Sequence, residues 1–247
     1  MVDTVQMKIT PMSITNIKLA TNNAGGDGIA QLRLWQLISP ALPIGGYACS
    51  QGLEYAVEAG WVNNEKEMQA WIAGMLGHVH QQLDLPVLAR LYRAWCTGDI
   101  ETVQHWNDYL LAARETSELL QEDCQLGRAL AVLLRDLDCK NLAVLNKDEL
   151  ALATALAAAA AEWGISINLL AQAYLWIWTE NQIAAAIKLI PLGQTAGQRI
   201  LYAISGLLSD VVAQALIVSD EEIGQSAMAL AIASSRHESQ HTRIFRS

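Results

Sequence analysis

Basic residues are few in this sequence and nowhere dense. The 247 residues carry 16 Lys and Arg against 25 Asp and Glu, a net charge of -9. Phosphate neutralisation needs clustered Lys and Arg, so this balance argues against a general nucleic-acid binder. The densest basic group, Arg236, Arg243 and Arg246, is interrupted by Glu238. Charge of either sign is scarce, at 17% of residues, where an average soluble domain has about 25%. Hydrophobic residues make up 52%. We therefore expect both a large core and a surface partly covered by partners.

Cysteine is sparse and unpatterned. Cys49, Cys96, Cys124 and Cys139 form no CxxC pair, which fits neither a zinc ribbon nor a disulfide-dense scaffold. Reduced, mostly buried thiols in a cytoplasmic protein are expected instead. No secretory signal is expected, because residues 1–23 carry Asp3, Lys8 and Lys18 and no compact apolar segment. No membrane span is expected either. The longest uncharged apolar run, 163–179, is broken by Ser166, Asn168 and Gln172, and a spanning helix needs about 20 residues. A phosphate loop, a dinucleotide-binding glycine fingerprint and a nucleophile elbow are all missing.

One enzyme motif is present: His237-Glu238-Ser239-Gln240-His241 reads H-E-x-x-H. On a helix, the two imidazoles would share a face and could ligate zinc, with the Glu as general base. A catalytic zinc needs a third protein ligand, and no His, Asp, Glu or Cys follows His241. A helical metalloprotein or zinc hydrolase using His237, Glu238 and His241 is therefore the alternative reading, and His237 with His241 is a weak candidate metal site. His78 and His80 lie on different sides of one helix and make a poor ligand pair. Glu115, Glu118, Glu122 and Asp123 share one helical face, read as solvated.

The periodicity predicts an all-α chain: one multi-helix, bundle-like domain with a flexible N-terminal extension and a C-terminal tail. Residues 1–28 are rich in Thr, Asn and Gly and read as the extension. Residues 29–235 read as the helical domain and 236–247 as the tail. A helix starts near Ile29 and stops at Pro40, and the loop through Pro43, Gly45 and Gly46 follows. Further helices are expected over 50–58, 85–97, 100–112, 115–136, 147–162, 167–190, 194–219 and 221–234. Another follows the Asn64-x-x-Glu67 cap. Asp99, Thr195 and Asp220 read as N-caps, and Gly60 and Gly98 as stops. No stretch shows sustained period-2 alternation.

Four segments, in this order and spacing, resemble the UreF family of urease accessory proteins. They are Ser39-Pro-Ala-Leu-Pro-Ile-Gly-Gly-Tyr47 with Ser50-Gln-Gly-Leu-Glu54, and Ala113-Arg-Glu-Thr-Ser-Glu-Leu119 with Gly127. Ile190-Pro-Leu-Gly-Gln-Thr-Ala-Gly-Gln-Arg199 and the tail 236–247 complete the set. The resemblance covers nearly the whole chain beyond residue 28. It implies an all-α, non-catalytic, cytoplasmic chaperone for urease maturation by nickel insertion. It further implies a homodimer that scaffolds UreD (also called UreH) and the GTPase UreG on apo-urease. On that footing no cofactor is bound firmly, nickel is handled by the complex, and neither nucleic acid nor membrane is a partner.

The resemblance also implies partner-binding positions. These are Tyr47, Ser50, Glu54, Gln194, Gln198, Arg199, His237, Glu238, Arg243, Phe245, Arg246 and Ser247. In the family the tail docks on UreD, Arg243 matches an arginine used in assembly, and Tyr47 matches the tyrosine that supports it. Arg and aromatic residues are favoured as binding anchors. Phe245, the single Phe of the sequence, stands between Arg243 and Arg246 and is expected to be covered by a partner.

Overall fold

The computed structural model describes residues 24–145 and 149–247, with side chains from residue 28 onward. Up to residue 23, the expected extension lies outside the described residues. The described residues are all helix, turn and loop, with no strand. The helices are α1 (Ala24–Leu37), α2 (Leu53–Glu58), α3 (Glu65–Met75), α4 (Leu85–Thr97) and α5 (Ile100–Ala112). Then come α6 (Ser117–Asp136), α7 (Leu152–Trp163), α8 (Ile167–Leu189), α9 (Gln194–Ala215) and α10 (Met228–His237). A π-helical stretch, Leu76–Asp84, joins α3 to α4.

Helix α7 explains the arrangement. Its residues Ala153, Thr154, Ala155, Leu156, Ala157, Ala158, Ala159 and Ala160 are all buried. A helix without a polar face must be surrounded, and small side chains let neighbouring backbones come close. Helices α4, α6, α8 and α1 pack around it, and α9 packs along α8. The closest approach is at Gly127 on α6. A Cβ there would lie 2.6 Å from the carbonyl carbon of Ala151.

Helix α7 begins at Leu152 rather than near 147, and its N-cap Ala151 offers no side chain to cap it. The caps come from elsewhere. Asn107 Oδ1 on α5 accepts the Ala151 N–H (3.0 Å) and the Thr154 hydroxyl (2.9 Å), and Asp123 Oδ1 on α6 accepts the Leu152 N–H (2.7 Å). Further boundaries also differ from expectation: α1 already begins at Ala24, inside the expected extension, α2 begins at Leu53 rather than at 50, and α10 runs on to His237. Helix α6 starts two residues late because Thr116 caps it. Gly193, not Thr195, is the N-cap of α9, which ends at Ala215 rather than at 219. Ser219 caps a 3-10 turn at Asp220–Glu222 in a capping box with Glu222, so the last helix starts only at Met228.

A buried ionic knot ties the α5–α6 connection, α6 and the π-helical stretch together. Arg114 donates to Asp123 Oδ2 (2.9 and 2.7 Å), and its Nη1 lies 2.9 Å from Asp84 Oδ1. His80 Nδ1 lies 2.7 Å from Asp84 Oδ2, and its ring meets Trp178 edge-on at 4.4 Å. Burial pushes the Asp84 carboxyl up, but Arg114 and His80 outweigh it and hold the group down at about 2. A carboxylate depressed in the folded state stabilises the fold above its unfolded value and loses that contribution as pH falls through the folded value. The stability advantage over Asp84→Asn should therefore be constant above about pH 5 and shrink by about 2 kcal/mol toward pH 2. Urea titrations at stepped pH measure it.

The cysteines are all free. Burial pushes the Cys49 thiol up to about 12 and Cys139 to about 11, so both stay protonated. Cys96 is exposed rather than buried. Among the described residues, no helix is long and apolar enough to cross a membrane.

Candidate functional site

The C-terminal tail folds back against the N-terminal part of the chain and is gripped there. The grip starts at the entry to α2. Gln51 (φ 51°) and Gly52 (φ 74°) are successive left-handed residues. Gly52 is required, since a Cβ there would lie 2.9 Å from the Ser234 nitrogen. Consecutive N–H groups in such a turn converge on one acceptor. Here the Ser50 N–H (2.7 Å), the Gln51 N–H (3.0 Å) and the Ser50 hydroxyl (2.6 Å) all donate to the Ser247 carbonyl oxygen. The Arg246 N–H donates to Ala48 O (2.9 Å), which lays the tail beside the 3-10 turn Gly46–Ala48.

Glu54, in the first turn of α2, is the centre of the grip and is 5% exposed. Its carboxylate accepts the Ile244 N–H (2.7 Å) and the Phe245 N–H (2.9 Å). It also meets His237 Nε2 at 3.2 Å. The other ring nitrogen of His237 meets Glu118 Oε2 at 2.7 Å. Glu118 Oε1 takes Arg243 Nη1 at 2.5 Å. Glu238 accepts the Ser117 hydroxyl (2.6 Å) at the start of α6, where a carboxylate suits the helix dipole. One histidine thus stands between two carboxylates, and each carboxylate also holds part of the tail.

Phe245 is 5% exposed, with Lys188 Nζ 5.3 Å from its ring centre. The Ser247 hydroxyl donates to Glu122 Oε2 (2.5 Å), and Gln51 Nε2 donates to Glu122 Oε1 (2.7 Å). Trp178 Nε1 and Gln182 Nε2 on α8 donate to Gln51 Oε1 (2.6 Å) and Ser50 O (2.9 Å), respectively. Burial raises the Glu122 carboxyl, and its bonds from Ser247 and Gln51 offset only part of that.

Several expectations need correction. Phe245 needs no partner to cover it, because the chain's own body does. The acidic face of α6 is not solvated: Glu122 and Asp123 are buried, and Glu118 is spent on His237 and Arg243. Arg243 is held by Glu118, while Tyr47 is 68% exposed with no hydrogen bond to Arg243 among the described contacts. The zinc-motif geometry is not formed. Helix α10 ends at His237, so the register that would align His241 with it is lost. His237 is fully buried with both nitrogens engaged, and His241 is exposed. No group of three or more potential metal ligands gathers among the described residues.

Of the twelve positions singled out, Ser50, Glu54, His237, Glu238, Arg243, Phe245, Arg246 and Ser247 join in the grip, with Tyr47 at its edge. Gln194, Gln198 and Arg199 make none of its contacts. They lie exposed at the start of α9, where Arg199 pairs with Glu65 of α3 (2.6 Å). Glu118, Glu122, Gln51 and Ser117 belong to the grip and were missed. The shared face of Glu118 and Glu122 was visible in their i, i+4 spacing, but their partners lie between 71 and 125 residues away. A cavity of about 70 Å³ beside the grip, lined by His80, Glu122, Trp178 and Gln182, is small beside ligand pockets of about 300–1,000 Å³.

A family model described as UreF matches residues 62–205. Among curated relatives, a protein of Alkalilimnicola ehrlichii is 51% identical over 221 residues, covering 89% of this chain and 97% of the relative. A protein of Alcanivorax borkumensis is 48% identical over 225 residues, covering 88% and 98%. One of Teredinibacter turnerae is 48% identical over 216 residues, covering 87% and 98%. Each is named urease accessory protein UreF.

Proposed function

We propose, from the premise that this chain belongs to the UreF family of urease accessory proteins, that it is a non-catalytic scaffold for nickel insertion. It presents its seated tail to UreD (UreH) and holds the GTPase UreG on apo-urease. Nickel is cargo of the assembly and not a resident cofactor of this chain. A homodimer in the cytoplasm completes the reading.

The observation that carries it is the grip itself. A buried carboxylate is costly unless paired and hydrogen-bonded, and Glu54 is committed to two tail amides and a histidine. Such an arrangement gives a short segment one fixed shape, and a fixed shape lowers the entropic cost of meeting a partner. The seated tail leaves Tyr47, Ile244 and Arg246 exposed, which are residue types suited to contact.

The test is urease activation in a strain lacking this gene, with nickel limiting. The full chain should restore activity and pull down UreD and UreG. Phe245→Ala, with its fold checked by circular dichroism, should lose at least about 10-fold of both, equivalent to about 1.4 kcal/mol of binding. Normal activation without the gene, or full activation by the variant, would contradict the reading.

A further inference from the structure

We infer that the cavity between α6, α8 and the π-helical stretch is a binding site for ordered water, and that this water links the ionic knot to the grip on the tail. The cavity measures about 70 Å³ and is walled by Val79, His80, Glu122, Leu126, Trp178 and Gln182. Too small for most organic ligands, it is roomy for water, which needs about 10–15 Å³ of such space per molecule. Its walls are not uniformly apolar, and polar walls are what keep a cavity wet. His80 is 4% exposed and Gln182 2% exposed. His80 Nε2 and Gln182 Oε1 have no hydrogen-bond partner among the described residues.

Neither side chain can swing its free atom to another partner. His80 Nδ1 lies 2.7 Å from Asp84 Oδ2, and Gln182 Nε2 donates to Ser50 O (2.9 Å). Turning the ring or the amide over would give up those contacts. A buried polar atom left unmet carries its full desolvation cost. Water removes that cost at both atoms, donating to the Gln182 oxygen and either donating to or accepting from the imidazole nitrogen. The positions of the two atoms give the water its role. His80 belongs to the knot with Asp84 and Arg114. Gln182 holds Ser50, whose N–H and hydroxyl hold the Ser247 carbonyl oxygen. Trp178 already spans the two networks, with its ring 4.4 Å from that of His80 and its Nε1 donating to Gln51 Oε1 (2.6 Å). Water adds a second, hydrogen-bonded link beside it. Both networks lie within the isolated chain, so the link needs no partner protein.

A high-resolution crystal structure of the full, native chain tests the site, and a double-mutant cycle tests the link. Solvent density is expected about 2.7–3.2 Å from His80 Nε2 and from Gln182 Oε1. Density missing from either atom, or a protein group in its place, would overturn the inference. That result is read on the native chain, so it decides the site whether or not the variants fold. His80→Phe and Gln182→Met remove the two atoms and keep the bulk. Each should lower the melting temperature. The double variant should lose less than the sum of the two by about 2 °C or more, because the second change breaks a link already broken. A smaller shortfall would mean that the knot and the grip stand independently, and the link would be overturned even with water in the cavity.

Discussion

Glu54→Gln is expected to lower the melting temperature by about 10 °C and to cut urease activation by at least about 10-fold. Glu54 accepts from two tail amides and faces His237 inside the fold. A glutamine has one acceptor oxygen and one NH₂ donor. In either flip its NH₂ would face a backbone N–H, that of Ile244 or that of Phe245, so a donor is left buried without a partner. Breaking a buried, charge-assisted set by removing one member costs about 3–5 kcal/mol. At this chain length each kcal/mol moves the melting temperature by about 2–4 °C. Differential scanning fluorimetry reads the first effect and a complementation assay the second. A variant that melts within about 2 °C of native would show that the grip contributes little.

Gly127→Ala is expected to cost at least about 3 kcal/mol, because α6 and α7 touch backbone to backbone there. The added Cβ would lie 2.6 Å from the Ala151 carbonyl carbon and 2.7 Å from that of Leu150. No rotamer change relieves a clash with main chain. The segment 150–152 must move, and it carries the Ala151 and Leu152 N–H bonds to Asn107 and Asp123. Gly74, within α3, is the control, since nothing lies within 4 Å of its would-be Cβ. Gly74→Ala should be neutral or stabilise by up to about 1 kcal/mol through helix propensity. Denaturant unfolding of both variants separates the two cases. Equal effects would remove close packing as the reason for the glycine at 127.

The helices were legible where their signals are local. Helices α4 and α5 fall at 85–97 and 100–112 as the periodicity gave them, because Gly98 stops one in the left-handed region and Asp99 caps the next. The Asn64 cap accepts the Glu67 N–H (3.0 Å), as its spacing predicted. The start of α7 failed because its caps come from other helices. Nothing near residue 147 announces that Asn107 and Asp123 will start α7 at Leu152. The stretch after Ser219 misled because three acids in a row resemble a helix first turn but close only a 3-10 turn.

The site was half legible. The resemblance picked out Ser50, Glu54, His237 and the tail, yet gave no reason for them to belong together. The reason is tertiary. His237 and Glu54 are 183 residues apart, and Arg243 and Glu118 are 125 apart. Polar residues on an amphipathic helix read as solvated unless a partner is known, so Glu118 and Glu122 were placed on the wrong side of the surface. Phe245 was misplaced for the same reason, since an apolar ring in a short tail says nothing about which body covers it.

Hydrogen exchange of the Ile244 and Phe245 amides in the free, native chain tests most directly whether the chain seats its own tail before any partner arrives. Both amides donate to a buried carboxylate, so exchange should be slowed by about a thousandfold or more relative to an unstructured peptide. Exchange at the unstructured rate, becoming slow only when UreD is added, would mean that the partner and not Glu54 orders the tail.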